Sequence, residues 1–140
     1  ILHAWISHVA FCASGAFSGE TFLMSRTGVQ SWQPVPDSKK ILSDYLKLYE
    51  EGMTQPMPLF PKASFSYAEA FYNGKNGEPE ARARKAAANA WSNSWSGADT
   101  DDPYIRKIFG DSNFLPAGFE KVTSRLYFPV YDRMKRDVSV

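Results

Sequence analysis

The chain has 140 residues, 44% of them apolar and 15% aromatic, enough for one domain that buries about two thirds of its unfolded surface and too apolar for a disordered segment. Its 16 Lys and Arg against 15 Asp and Glu leave a net charge of +1, which excludes a global pull toward nucleic acid and confines any such binding to a local patch. One cysteine, Cys12, excludes an internal disulfide, and no apolar run approaches the roughly 20 residues that span a bilayer.

The first residues lack the charged start and small-residue cleavage site of a signal peptide, so a cytoplasmic protein is expected. Because the chain starts at Ile1 without an initiator methionine, it is expected to be a fragment of something longer. Leu2, Trp5, Ile6, Val9 and Ala10 recur at helical spacing and predict a helix over 1–14, ended by Gly15. Residues 20–25 and 29–32 are rich in strand formers. Arg26, Thr27 and Gly28 between them predict a three-residue hairpin loop with the glycine left-handed. Pro36 and Asp37 supply a stop and an N-cap. After them Ile41, Leu42, Tyr45, Leu46 and Tyr49 form one helical face, closed by Gly52.

Pro56, Pro58 and Pro61 then alternate with Met57, Leu59 and Phe60. Proline fixes φ and removes a backbone donor, so this segment must be extended, and its apolar side chains need cover. It predicts a stiff apolar strap laid across a core. Ser64 or Ser66 opens the next predicted helix, with Ser66 and Glu69 at capping-box spacing and Phe65, Ala68, Phe71 and Tyr72 on one face. Asn73, Gly74, Asn76 and Gly77 form the turn that ends it. Pro79 suits a first helical position, and the alanine-rich run to Ser94 carries Ala88, Trp91 and Trp95 on one side. Asp102 and Pro103 cap a short helix over 104–109, which Gly110 ends. The last segment, 119–136, sets Phe119, Val122, Leu126, Val130 and Met134 in one stripe, with Pro129 expected to kink or break it.

Catalytic motifs are weak. Asp99, Asp101 and Asp102 are the metal candidates, but Pro103 interrupts the ligand alternation and no bidentate glutamate follows, so the spacing favours capping. His3 and His8 lie five apart, on different sides of a helix, and would not chelate one ion. No nucleophile elbow or phosphate loop is present, and the one Asp-x-Lys, Asp37-Ser38-Lys39, has no acidic partner on a preceding strand such as a magnesium-dependent nuclease needs. Basic residues cluster at Arg82, Arg84 and Lys85 and again at Arg133, Lys135 and Arg136, each set expected on a helix. They fit a solvated face, or contacts to a nucleic-acid backbone. Trp91 and Trp95 fit core positions better than base stacking.

The stretch Gln55-Pro56-Met57-Pro58-Leu59-Phe60-Pro61-Lys62-Ala63-Ser64-Phe65-Ser66-Tyr67-Ala68 closely resembles one in the RecC family, the gamma subunits of exodeoxyribonuclease V. Lys85-Ala86 through Trp91, Asp101-Asp102-Pro103-Tyr104, Phe109-Gly110 and Leu126-Tyr127-Phe128-Pro129 follow in the same order. Upstream, Trp5 and His8, Ala13-Ser14-Gly15, Glu20-Thr21 and Leu48-Tyr49-Glu50-Glu51-Gly52 fit the same alignment, so the resemblance covers nearly the whole chain. It implies the C-terminal portion of a non-motor subunit of RecBCD, the helicase-nuclease that processes double-strand DNA ends for recombinational repair. It further implies a degenerate domain of the restriction-endonuclease-like, RecB nuclease-like kind, without catalytic residues, whose partners are RecB, RecD, the remainder of RecC and DNA.

The expected fold is therefore a single α+β domain over 1–140, mainly helical with a small antiparallel β-hairpin, needing no cofactor or metal. The expected role is to hold subunits together and guide unwound strands, with Lys62, Arg82, Arg84 and Lys85 as the candidate contacts to DNA or a partner. A free-standing nucleic-acid-binding module and a helical adaptor unrelated to DNA are the alternatives.

Overall fold

The computed structural model describes residues 1–137 apart from 17, 27, 76, 94–96 and 111, and leaves the side chains of Arg136 and Asp137 undescribed. It is mainly helical with one three-stranded antiparallel sheet, and it divides into two compact units. The first comprises Ile1–Thr54 and the chain from Pro129 on, the second Gln55–Phe128.

In the first unit, α1 (Leu2–Ser14) ends as expected at Gly15, whose φ of 74° suits a residue without a Cβ. It buries Trp5, His8 and Val9 rather than the wider stripe through Ile6 and Ala10. Helix α2 (Ser38–Thr54) runs past Gly52 and buries Ser38, Ile41, Tyr45 and Leu48, while Leu46 and Tyr49 stand 56% and 66% exposed. The expected face is thus turned by one position around the helix. Asp37 starts α2 through its carbonyl, which accepts the Ile41 amide at 3.1 Å, but its carboxylate takes the Arg133 guanidinium at 2.7 Å. Trp5 Nε1 donates to Tyr45 Oη at 2.8 Å and Trp32 Nε1 to the Val130 carbonyl at 3.1 Å. His8 Nε2 lies 3.0 Å from the Gln33 carbonyl, so this nitrogen carries a proton, and Nδ1 faces Thr21 Oγ1 at 2.8 Å. These bonds let indole and imidazole rings sit in an interior that would otherwise reject their polar atoms.

The strands β1 (Thr21–Ser25), β2 (Gly28–Trp32) and β3 (Met134–Asp137) lie in that order. Ser25 pairs with Gly28, so the hairpin loop holds two residues instead of three, and Gly28, at φ 138°, opens the second strand. Thr27 lies outside the described residues. β3 replaces the expected helical continuation through Met134 and Arg136: the helix stops at Asp132, and Met134 pairs with Trp32. Its sequence, Met-Lys-Arg-Asp, carries little strand propensity, and ladder hydrogen bonds to β2 decide its conformation.

In the second unit the strap enters α3 (Pro61–Asn73) earlier than expected, with Pro61 as the first helical residue and Ser66 in the interior, so the proposed capping box does not form. Helix α4 (Pro79–Ser92) starts at Pro79 as read. Its Ala83, Ala87 and Ala90 share one core cluster with Ala63 and Tyr67 of α3, small side chains that let two helices pack closely. Phe60, 2% exposed, centres this core at 4.5 Å from the Trp91 ring, 5.0 Å from Phe109 and 6.0 Å from Phe119. Only Phe60 of the strap is fully covered, whereas Met57 is half-buried and Leu59 37% exposed. Trp91 is wholly buried and donates to the Ser112 carbonyl at 2.8 Å, a core residue as expected, while Trp95 lies outside the described residues. A 3₁₀ turn (Asp99–Asp101) precedes α5 (Pro103–Phe109). Helix α6 (Phe119–Asp132) continues through Pro129 without a break and buries Phe119, Thr123, Tyr127 and Val130, a stripe displaced from the expected Val122 and Leu126.

Burial pushes the Tyr45 phenol up to about 12, against which the Trp5 hydrogen bond acts. In the unfolded chain a tyrosine ionises near 10, so this contribution to stability is intact below about pH 10 and is lost as pH rises toward 12. Tyr45→Phe should cost about 1–3 kcal/mol at neutral pH by stranding the Trp5 donor, and should flatten the alkaline loss of stability. Urea unfolding at about pH 8 and about pH 11 checks both.

Candidate functional site

The candidate residues all belong to the second unit, and the structure uses most of them to finish helix ends. Phe60 occupies the N-cap position of α3 and has no side-chain oxygen to offer the first amides. Asp99 supplies it instead. Buried to 3% exposure, its Oδ2 accepts the Ala63 amide at 2.7 Å, from 36 residues along the chain, and its Oδ1 the Lys62 amide at 3.2 Å. A carboxylate at a helix N-terminus also meets the positive end of the macrodipole. Lys62 Nζ donates to the Gly97 carbonyl at 2.8 Å, so backbone and side chain of one residue hold the 97–99 loop against α3. The Phe60 amide donates to Ser64 Oγ at 3.0 Å, and Thr123 of α6 donates to the same oxygen at 3.1 Å.

The other two carboxylates of the acidic run are equally engaged. Asp101 Oδ2 accepts the Ala98 amide at 2.6 Å, and Asp102 Oδ1 accepts the Tyr104 amide at 2.8 Å to cap α5, as the Asp-Pro pair predicts. Among the described residues no three His, Cys, Asp or Glu side chains are grouped to hold a metal ion.

The basic run on α4 does not form one patch. At about 100° per residue, neighbours two apart point to nearly opposite sides of a helix, and that is where Arg82 and Arg84 go. Arg82 reaches the C-terminal end of α3, where Nε donates to the Ala70 carbonyl at 2.8 Å, Nη2 to Phe71 at 3.1 Å and Nη1 to Gly77 at 2.8 Å. A Cβ on Gly74 would overlap this guanidinium where it lies, so a side chain there has to displace Arg82 from the carbonyls it holds. Arg84 turns to α6 and grips Glu120 with both ends of its fork, Nε to Oε1 at 2.7 Å and Nη2 to Oε2 at 3.2 Å. That contact raises the Arg84 pKa above the ordinary range. Their groove, of about 330 Å³, is lined by Tyr67, Phe71, Glu80, Arg84, Glu120 and Lys121, a surface of mixed sign. Lys85 is exposed, and among the described residues it has no hydrogen-bond or ion-pair partner. Lys62 lies at the other end of α3 from Arg82.

The second basic run is likewise dispersed rather than helical. Arg133 follows α6 and pairs with Asp37, and exposed Lys135 stands on β3; the side chain of Arg136 is outside the description. Sequence reasoning missed Asp99 as the cap of α3 and Glu120 as the partner of Arg84. No short-range pattern marks either contact. The overlap at Gly74 is a steric requirement that a glycine after a helix cannot announce by itself.

The RecC C-terminal domain family model matches residues 1–72. The RecBCD enzyme subunit RecC of Buchnera aphidicola subsp. Baizongia pistaciae (strain Bp) is 26% identical over 117 residues, 77% of this chain and 10% of that protein. The RecBCD enzyme subunit RecC of Escherichia coli (strain K12) is 23% identical over 77 residues, 54% of this chain and 7% of that protein. The chain thus spans a tenth or less of the length of these curated relatives.

Two substitutions separate the helix ends. Asp99→Leu, which leaves the Lys62 and Ala63 amides without their acceptor, should lower stability by about 2 kcal/mol or more in chemical denaturation, and Asp99→Asn by less. Gly74→Ala should displace Arg82 and cost about 1–2 kcal/mol, and combining it with Arg82→Ala should add little, because both remove one set of bonds.

Proposed function

The chain belongs to the RecC C-terminal domain family, and from that membership we propose that it is a non-catalytic, structural portion of the RecC subunit of a cytoplasmic RecBCD helicase-nuclease. In this role it helps hold RecB and RecD to the rest of RecC and guides unwound DNA strands during double-strand break repair. The 140 residues would be one domain of the restriction-endonuclease-like kind whose catalytic chemistry has been lost.

The observation that carries the reading is the family match over the segment running from α1 through the strap into α3. Side-chain commitments support it. A magnesium-dependent nuclease needs carboxylates directed at a shared ion, whereas Asp99, Asp101 and Asp102 each accept backbone amides. Of the four candidate contacts, Lys85 is best placed to reach a phosphate. Arg84 would have to share its fork with Glu120, and Arg82 and Lys62 already hold backbone carbonyls.

Three measurements test this. A purified chain should show no magnesium-dependent cleavage of single- or double-stranded DNA; cleavage that disappears in Asp99→Asn or Asp101→Asn would falsify the non-catalytic assignment. The full-length subunit should co-purify with RecB and RecD, and failure to do so counts against the complex. Lys85→Glu should weaken DNA binding by the assembled complex and reduce the salt slope of log K by about 1, while Arg82→Lys should change stability more than binding.

A further inference from the structure

The groove between α3, α4 and α6 holds a buried tyrosine whose hydroxyl is left without a bond. Tyr67 is only 4% exposed, yet among the described residues its Oη has no hydrogen-bond partner. No described side-chain oxygen or nitrogen that is shut off from the surface goes unbonded, so this hydroxyl opens into the groove of about 330 Å³ that Tyr67 lines. A phenol with a covered ring and an open tip offers a ligand one oriented hydrogen bond. The volume lies at the small end of the range for organic-ligand pockets.

The surroundings of that hydroxyl select the ligand. Phe71 and Phe128 give the groove apolar walls, Phe128 at 6.4 Å from the Tyr67 ring and 14° from parallel to it, and Phe71 at 4.7 Å from Phe128. Such a lining favours a flat, polarisable group. The rim balances its charge, with Glu80 and Glu120 against Arg84 and Lys121. Burial holds the Tyr67 phenol above its ordinary range, Glu120 and Glu80 push it the same way and Arg84 opposes them, so two carboxylates and one guanidinium act on the hydroxyl itself. A phosphate seated there would meet the carboxylates, and a lysine or arginine side chain would meet Arg84 and Lys121. An uncharged plane with N–H groups to donate meets neither objection. Glu120 is held by Arg84, whereas the side chains of Glu80 and Ser124 have no hydrogen-bond or ion-pair partner among the described residues. The amino groups of cytosine, adenine and guanine donate to such a carboxylate, and thymine carries no amino group.

We propose that this groove takes one unstacked, amino-bearing nucleobase of a DNA single strand, with its face on Phe71 and Phe128 and its edge on the Tyr67 hydroxyl and the Glu80 carboxylate. Exposed Lys121, unpaired among the described residues, stands at the rim for the adjoining phosphate. The proposal rests on the strand-guiding role above and adds where a base is held and which bases are preferred.

The test uses the full-length subunit carrying this chain, assembled with RecB and RecD, and single strands of thymine in which one position is 5-iodocytosine or 5-iodouracil. Irradiation should join iodocytosine to peptides containing Tyr67, Phe71 or Phe128, identified by mass spectrometry. Iodouracil should join them severalfold less, each yield being referred to crosslinks elsewhere in the same complex. Tyr67→Phe, which keeps the ring and removes the hydroxyl, should cut the iodocytosine crosslink about fivefold, and Glu80→Ala should bring its yield toward that of iodouracil. Circular dichroism reports whether each variant folds, and Glu80→Ala, at an exposed position, carries the test if Tyr67→Phe does not. No crosslink at these peptides from a complex that binds DNA, the result if a protein segment fills the groove, overturns the base site and leaves the subunit role standing. Equal yields from the two bases, or crosslinks that both variants leave unchanged, overturn it as well. A wild type that fails to assemble or to bind DNA removes the strand-guiding role and this inference with it.

Discussion

The arrangement of the second unit follows from a helix that must begin without a local cap. Phe60 is drawn into the core, and Pro61 behind it fixes φ for the first turn of α3, so no serine, threonine or aspartate stands at the N-cap. The amides of Lys62 and Ala63 still require an acceptor away from water, and Asp99 provides it. Bringing Asp99 to that place folds the chain after α4 back onto the start of α3. The same return sets Trp91 against Phe60 at 4.5 Å and positions Asp102 to open α5. One unsatisfied helix end thereby organises a loop, an aromatic core and the next helix.

The opposite end of α3 is resolved by the same logic with the sign reversed. Its last carbonyls accept at the negative end of the dipole, Ala70 already taking the Gly74 amide, and the Arg82 guanidinium offers several donors in a fixed plane. An ammonium on a flexible stem could not match those carbonyls with one geometry. The arginine thus tells more about how α3 and α4 are joined than about any external anion. Its neighbour Arg84, two positions on, is directed to Glu120 of α6 by helical periodicity alone. What looks in the sequence like a basic cluster is three separate appointments, of which only that of Lys85 faces water without a described partner.

Element existence was legible wherever local chemistry decides. Gly15 ended α1, Pro79 opened α4 and Asp102 with Pro103 opened α5, because each acts through its own backbone or its nearest amides. Which face of a helix is buried was less so. In α2 the apolar sector is wide enough to include both Ile41, Tyr45, Leu48 and Leu42, Leu46, Tyr49, and periodicity cannot say which half meets the core. In α6 the choice fell on Thr123, a polar residue at 0% exposure, because Ser64 accepts its hydroxyl proton. Such a position is invisible to a hydrophobic pattern. β3 was missed for the complementary reason: Met134 to Asp137 hold a strand only because β2 offers an open ladder, a contact some hundred residues away in the chain. The candidate site suffered most, since Asp99 with Ala63 and Arg84 with Glu120 are each 36 residues apart.

Terminal charge does not single out α2 among the described helices. Helix α4 has Glu80 in its first turn and α5 combines its Asp102 cap with Arg106 and Lys107 in its last turn, as the dipole favours, whereas α3 carries Lys62 in its first turn and α6 ends on Asp132. Helix α2 follows Asp37 at its start with Lys39 and Lys40 and carries Glu50 and Glu51 near its end. A wide apolar sector alone is an ordinary surface feature, and exposed leucines need no explanation singly. On α2 the open row from Leu42 to Met53 lies beside the buried row of Ile41, Tyr45 and Leu48, two halves of one wide apolar sector.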